Sequence, residues 1–285
     1  MKKTKIIIPA LGILLLSTAA SVTGTVAWFT AANDVDVSGL QFKAQSEQAI
    51  VIANEGKSSW LNSGVSASHD GAGKTFLNTS TANFSDWYHA YSSNADNGQA
   101  TVDRVSLVVE KPASSTSATG IGVVDSEDAT TEDGSFHGQN VYLLNRFYVQ
   151  SATAVALNGQ DLYIKDLAVT GATTNALLDA SLRVGFAFNG ADFIFAPVAG
   201  ASESYTVNGT TNVNAITSIP ATGYVISGSA GVNIPAFVNN GDGSLEIEVY
   251  IWFEGEDVNN KSAYVYGNMD QLSITFKLGN QAHQG

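Results

Sequence analysis

The chain has 285 residues, no cysteine and a formal charge of −13, from 13 basic and 26 acidic side chains. The absence of cysteine excludes a disulfide framework, a thiolate metal site and a cysteine nucleophile. The acidic balance repels phosphate backbones, so we expect no nucleic-acid partner. Hydrophobic residues make up 44% and charged residues only 14%, with 27 glycines, which predicts an all-β fold.

The N-terminus has the layout of a secretory signal. Three lysines lie within the first five residues, an apolar run covers residues 6–16, and small residues follow. We predict a signal peptide over residues 1–27, although small-residue sites leave the cleavage bond open between residues 19 and 32. The mature chain is then secreted, extracellular or at the cell surface, and its formal charge falls to −16 when the three lysines are lost.

An uncleaved leader is the alternative. Residues 6–32 carry no charge and exceed the roughly 20 residues that span a bilayer, so they would also serve as an anchor. In either case we expect the chain to contact a membrane only through its leader.

An extended segment is predicted next, over residues 28–48. Val35 and Val37 share one face, and Leu40 and Phe42 share a face after a change of phase. This pattern is typical of a strand with a bulge. A strand at a free N-terminus can add to an open sheet edge of another subunit.

The junction between leader and strand carries a resemblance. Residues 24–30 read GTVAWFT, end the apolar leader and lead into the alternating segment. In this the chain resembles the TasA/camelysin family of secreted bacterial biofilm-fibre subunits. The resemblance covers the leader and the first strand only, and it implies a fibre subunit that binds other copies of itself.

Residues 49–285 are predicted to form a single β-sandwich domain, jelly-roll-like, of mainly antiparallel strands with long loops and at most short helices. The clearest alternation covers residues 245–253, and we expect residues 271–278 to pair with it antiparallel. Asn189-Gly190 predicts a tight hairpin. The expected core residues are Leu182, Phe186, Ile247, Val249, Ile251, Ile274 and Phe276.

Two segments interrupt the strand pattern. Residues 112–138 are low in complexity and predict a flexible insertion. Aromatic residues at helical spacing predict a helical turn over residues 85–91. We expect Trp87 to pack against a sheet edge; the alternative is a carbohydrate platform that includes Trp60.

Catalytic patterns are missing from the sequence. The four histidines are far apart and form no H-E-x-x-H pair, and no complete P-loop or G-x-S-x-G motif occurs. We therefore predict that the protein is not an enzyme and needs no organic cofactor.

Two acidic loops offer candidate metal sites. Glu254, Glu256 and Asp257 supply hard oxygen ligands suited to calcium, and residues 125–128 form a second acidic cluster. Neither has the spacing of a calcium-binding loop, so a solvated acidic loop is the alternative.

Together these features favour a structural subunit of an extracellular filament or biofilm matrix. The predicted mechanism is head-to-tail donor-strand exchange, a pilus-like route in which Val35, Val37, Leu40 and Phe42 fill a groove of the next subunit. Its partners would be other copies and matrix components of the cell surface. The alternative is a monomeric cell-surface module that binds carbohydrate or calcium.

Overall fold

The computed structural model describes residues 41–47, 49–63, 65–68, 74–92, 102–113, 120–125, 136–171, 173, 176–260, 266–269 and 272–282. These residues belong to a compact unit that runs from Ser38 to Gly285. They form strands with one short α-helix, α1 (Ala176–Ala180), which confirms the all-β prediction. The described part contains no helix of the length and hydrophobicity needed to cross a bilayer.

The first sheet joins the two ends of the described chain. It contains β1 (Gln41–Ser46), β3 (Val65–Ser68), β11 (Leu157–Thr170), β16 (Tyr224–Val225), β17 (Val232–Ile234) and β20 (Ser273–Ala282). Its order is β16, β11, β20, β1 and β3, with β17 also on β11. Among these described pairs only β1 with β20 is parallel.

The second sheet is larger. It contains β2 (Ile50–Asn54), β4 (Thr75–Leu77), β8 (Val109–Glu110), β9 (Ile121–Val124), β10 (Asn140–Ser151), β12 (Leu182–Phe188), β13 (Ala191–Phe195), β18 (Leu245–Phe253) and β19 (Tyr266–Asn268). Its main order is β13, β12, β18, β10, β4 and β19, with β2 and β9 also on β10. Asn189 and Gly190 join β12 to β13 with φ angles of 54° and 77°. The predicted hairpin is confirmed, because such a turn needs two positive φ angles.

The two sheets enclose one main hydrophobic core, as expected for a β-sandwich. Phe276 of the first sheet lies with its ring centroid 5.3 Å from that of Phe147 and 5.2 Å from that of Phe186, both in the second sheet. All seven residues predicted for the core are buried in it.

The predicted pairing of residues 245–253 with 271–278 is wrong. β18 pairs with β10 and β12, whereas β20 pairs with β11 and β1 in the opposite sheet. Both strands direct their alternating apolar faces into the same core. Alternation identifies the buried face but not the hydrogen-bonded neighbour, so it cannot separate pairing within a sheet from packing across the core.

A second core lies on the outer face of the second sheet. Small sheets supply its strands, which are β5 (Thr79–Ser80), β6 (Trp87–Ser92) and β7 (Val102–Leu107), with β14 (Ser204–Val207) and β15 (Thr211–Asn214). Trp87 stacks on Tyr142 at 4.6 Å and meets Trp252 edge-on at 5.7 Å. The helical turn predicted for residues 85–91 is therefore wrong, since β6 begins at Trp87. A spacing of four residues puts side chains on one face in a strand as well as in a helix.

The predicted insertion also contains structure. Within residues 112–138, β9 pairs with β10 and β8, and Ile121 and Val124 are buried. Residues 121–124 of the predicted flexible insertion are therefore an ordered strand, which corrects the prediction for these residues. Four residues between polar segments are too few to show a clear alternation.

Candidate functional site: the first-strand slot

The first-strand slot is the groove between β20 and β3 that holds residues 41–46. β1 runs parallel to β20, with Phe42 opposite Ile274, and antiparallel to β3, with Phe42 opposite Ala67. Pairing continues past the strand, because the amide of Glu47 donates to the carbonyl of Leu278 at 3.0 Å. Both edges of β1 are therefore bonded within one chain.

Two side chains of β1 point into the main core. Phe42 and Ala44 are fully buried, and the ring centroid of Phe42 lies 5.6 Å from that of Phe147 and 5.5 Å from that of Phe276. Burial of such a ring contributes about 1.5–3 kcal/mol. A slot without β1 would expose this apolar surface and leave the facing backbone groups of β20 and β3 unpaired.

The connection from β1 to β2 is short and crosses to the opposite sheet. It covers residues 47–49, of which the structure describes Glu47 and Ala49. The hydroxyl of Ser46 donates to the carbonyl of Ile50 at 2.9 Å, and the amide of Ala152 donates to the carbonyl of Ala49 at 2.9 Å. These bonds hold the connection against the end of its own sandwich.

Of the four residues predicted to drive polymerisation, Phe42 occupies the slot of its own chain. Val35, Val37 and Leu40 lie outside the described residues. The slot itself was not predicted. Its two sides are β3 and β20, two separate segments that only the fold brings next to β1.

The acidic loop after β18 forms a network with two arginines. Asp257 pairs with the buried Arg183 and accepts a hydrogen bond from the amide of Ser202 at 3.0 Å. Glu256 pairs with Arg104 through both carboxylate oxygens, one at 3.0 Å from Nη2. Neither arginine was predicted from the sequence to lie in this site. For Arg183 the available signal was a cationic residue within the apolar, alternating strand β12.

Glu254 completes this network without a cation of its own. Its carboxylate is fully buried and accepts hydrogen bonds from Trp252 Nε1 at 3.1 Å and from the amide of Glu256 at 3.0 Å. Burial raises the pKa of Glu254 to about 7, and the charge of Arg183 opposes this rise. The buried guanidinium of Arg183 already pairs with Asp257, so a second buried negative charge at Glu254 is unfavourable.

The calcium prediction concerns these same carboxylates. Glu254, Glu256 and Asp257 are occupied by arginines, an indole and backbone amides. Within the described ranges no group of three or more acidic or histidine side chains is placed to hold a metal ion. Of the second cluster, residues 126–128 lie outside those ranges. Calcium binding stays a prediction.

The tryptophans considered for a carbohydrate platform are separated. Trp87 is buried in the second core, as a packing role requires, but its indole lies on the face of the second sheet, against Tyr142 and Trp252, and not at the predicted sheet edge. Trp60 is half-buried and meets Phe237 edge-on at 6.2 Å between ring centroids. The two indoles therefore do not form one surface platform.

No family model matches the chain, and no curated protein or solved structure matches it significantly. The resemblance of residues 24–30 to the TasA/camelysin leader stays a prediction.

Proposed function

We propose that this protein is a secreted structural subunit of an extracellular filament or biofilm matrix. Its subunits assemble head-to-tail when the N-terminal strand of one copy fills the first-strand slot of the next. The observation that supports this proposal is the position of β1, which is the first described strand and is enclosed on both edges by strands from elsewhere in the chain.

The exchange needs no new set of strand contacts. A β1 from a second copy would make the same hydrogen bonds and bury the same Phe42 as the chain's own β1 does. The balance between closed monomer and polymer then depends on concentration and on the connection at residues 47–49. Because the donor strand and the slot are different surfaces, the contact is head-to-tail, and it produces an open fibre when the rotation between successive copies does not close a ring.

A cysteine pair tests the exchange in a chain that has no cysteine of its own. Lys43 and Thr275 are register partners on the partly exposed face of β1 and β20. Neighbouring strands lie about 4.8 Å apart, which suits a disulfide. Oxidation of assembled Lys43→Cys/Thr275→Cys protein is expected to give a ladder of covalent oligomers on a non-reducing denaturing gel.

The matched control is Gln45→Cys/Ser273→Cys. Gln45 pairs with Lys277, so these two positions are about 13 Å apart along the strands and should not cross-link. If the concentrated Lys43→Cys/Thr275→Cys protein yields only cross-linked monomer, β1 stays in its own chain. That result would reject strand exchange and favour the monomeric binding module.

A further inference from the structure

Exposed apolar side chains surround the connection between β1 and β2. Leu61, Val155 and Val238 are 42%, 68% and 42% exposed. They account for three of the seven large apolar side chains that are exposed among the described residues. We call Leu61, Val155 and Val238, together with the half-buried Trp60 and Phe237, the connection-end patch.

Backbone hydrogen bonds bring these residues to one end of the sandwich. The amide of Ser46, the last residue of β1, donates to the carbonyl of Asn62 at 3.2 Å, next to Leu61. The amide of Ala152 donates to Ala49 in the connection itself, three residues before Val155. The amide of Phe237 donates to Thr153 at 2.8 Å, which places Val238 at the same end.

The patch has a packed aromatic base. Trp60 and Phe237 meet edge-on, and Trp60 also lies close against Gly241, where a Cβ would come within 2.8 Å of the indole. Edge-to-face pairs favour a fixed ring geometry. Leu61 and Val238 directly follow these two aromatic residues in the chain, so each lies next to a packed aromatic ring.

We propose that the connection-end patch is the contact surface between successive copies of this chain, an inference that rests on the proposed strand exchange. Residues 47–49 are then the only covalent link between the donor strand and its own domain. Three extended residues span about 10 Å at most, so the two domains must touch at this end.

The geometry also assigns the sides of the contact. The bond from Ser46 to Asn62 becomes intermolecular on exchange, so the acceptor's Leu61 lies beside the incoming strand, while the donor's own Leu61 stays paired with Ile52 of its β2. The bond from Ala152 to Ala49 stays within the donor, so Val155 and Val238 belong to the donor. The acceptor's Leu61 thus faces the donor's Val155 and Val238, and both sides lose apolar surface to water.

Val155→Asp tests the patch, with Val258→Asp as its matched control. Val258 is a valine of similar exposure, 64%, and follows β18 at the opposite end of the sandwich. Val155→Asp is expected to raise the critical concentration for assembly at least about tenfold, because it brings an unpaired carboxylate into the contact. Val258→Asp should stay close to wild type, and thermal unfolding of dilute monomers should show that both variants are folded.

Opposite charges test the assigned sides. In Leu61→Lys/Val155→Asp every junction places a lysine opposite an aspartate, so assembly should recover relative to Val155→Asp alone. Equal critical concentrations for Val155→Asp and Val258→Asp would overturn the patch. Strand exchange would still stand if the Lys43→Cys/Thr275→Cys ladder appears.

Two other outcomes separate the alternatives. Absence of the ladder would remove the proposed function and this inference together. Binding of a neutral soluble polysaccharide by wild-type monomer that is lost in Val155→Asp, with no change in assembly, would show that the patch serves a carbohydrate and would also overturn the inference.

Discussion

At the scale of single residues, the burial of Glu254 couples its protonation to the stability of the fold. Glu254 is fully buried beside a guanidinium that already pairs with Asp257. Burial raises its pKa from 4.5 to about 7 in the folded protein. Between these two pH values the folded state binds more protons than the unfolded chain does. The contribution of Glu254 to stability is therefore complete below about pH 4.5 and is lost as the pH rises through 7.

The direction of this pKa shift predicts how the stability of the protein depends on pH. From pH 4.5 to 7.5 the Glu254 carboxyl should lower the free energy of unfolding by about 3 kcal/mol. Glu254→Gln keeps the shape but cannot ionise, so its free energy of unfolding should lack this fall. Urea denaturation of both proteins across the pH range measures the difference. Glu246→Gln is the control, because the Glu246 side chain is 45% exposed at the start of β18. Parallel curves for Glu254→Gln and wild type would contradict the assigned cause.

At the scale of elements, the alternation in β18 correctly identifies the face that packs in the main core, but not what covers the other face. The sequence predicts one face in the core and the other exposed or covered by a loop. The second face carries Tyr250 and Trp252, which are buried under β6 and the segment before it. The pattern could not show this cover, since the apolar character of a single strand does not say which distant segment packs on it.

For the first-strand slot, the sequence likewise predicts the strand and its buried face but not the strands that pair with it. The alternation that includes Phe42 correctly predicts an extended strand with a buried face. Its neighbours could not be read from the sequence, because backbone hydrogen bonds select β20 and β3 without a residue-specific signal. The pairing of Arg183 with Asp257 likewise depends on the fold bringing positions 74 residues apart together.

Gly185 shows how closely β12 and the second core are packed. A Cβ at this position would lie 2.4 Å from two ring atoms of Phe84 and 3.0 Å from Trp252. The ring of Phe84 in turn stacks on Tyr250 at 4.6 Å. Gly185→Ala is therefore expected to destabilise the protein by about 1–3 kcal/mol through overpacking, measured by chemical denaturation.

Gly56→Ala is the matched control. A Cβ there would meet only ordinary contacts, the nearest at 3.7 Å, so its effect should be within about 0.5 kcal/mol. In a double-mutant cycle, Phe84→Leu should relieve part of the strain of Gly185→Ala, because the two residues are in contact. Strict additivity of the two changes would show that the clash is not with Phe84.

At the scale of the whole molecule, the proposed self-assembly must overcome charge repulsion between copies. Each copy carries a formal charge of −13, or −16 if the three lysines of the predicted leader are removed. Like charges on approaching copies repel each other, and the repulsion reaches about 30 Å at 0.01 M salt but only about 8 Å at 0.15 M. The contacts assigned to assembly are a strand and an apolar patch, neither of which is weakened by screening in this range.

Salt should therefore promote polymerisation. Raising sodium chloride from 0.01 M to 0.15 M is expected to lower the critical concentration several-fold, measured by sedimentation, because screening removes repulsion and leaves the apolar contact intact. A neutral osmolyte at equal osmolality separates screening from crowding, and calcium chloride at equal ionic strength should match sodium chloride. A larger effect of calcium would mean that carboxylates such as those of the acidic loop bind the ion between copies. A critical concentration that rises with salt would show that ionic contacts hold the subunits together, which contradicts an apolar junction at Leu61 and Val155.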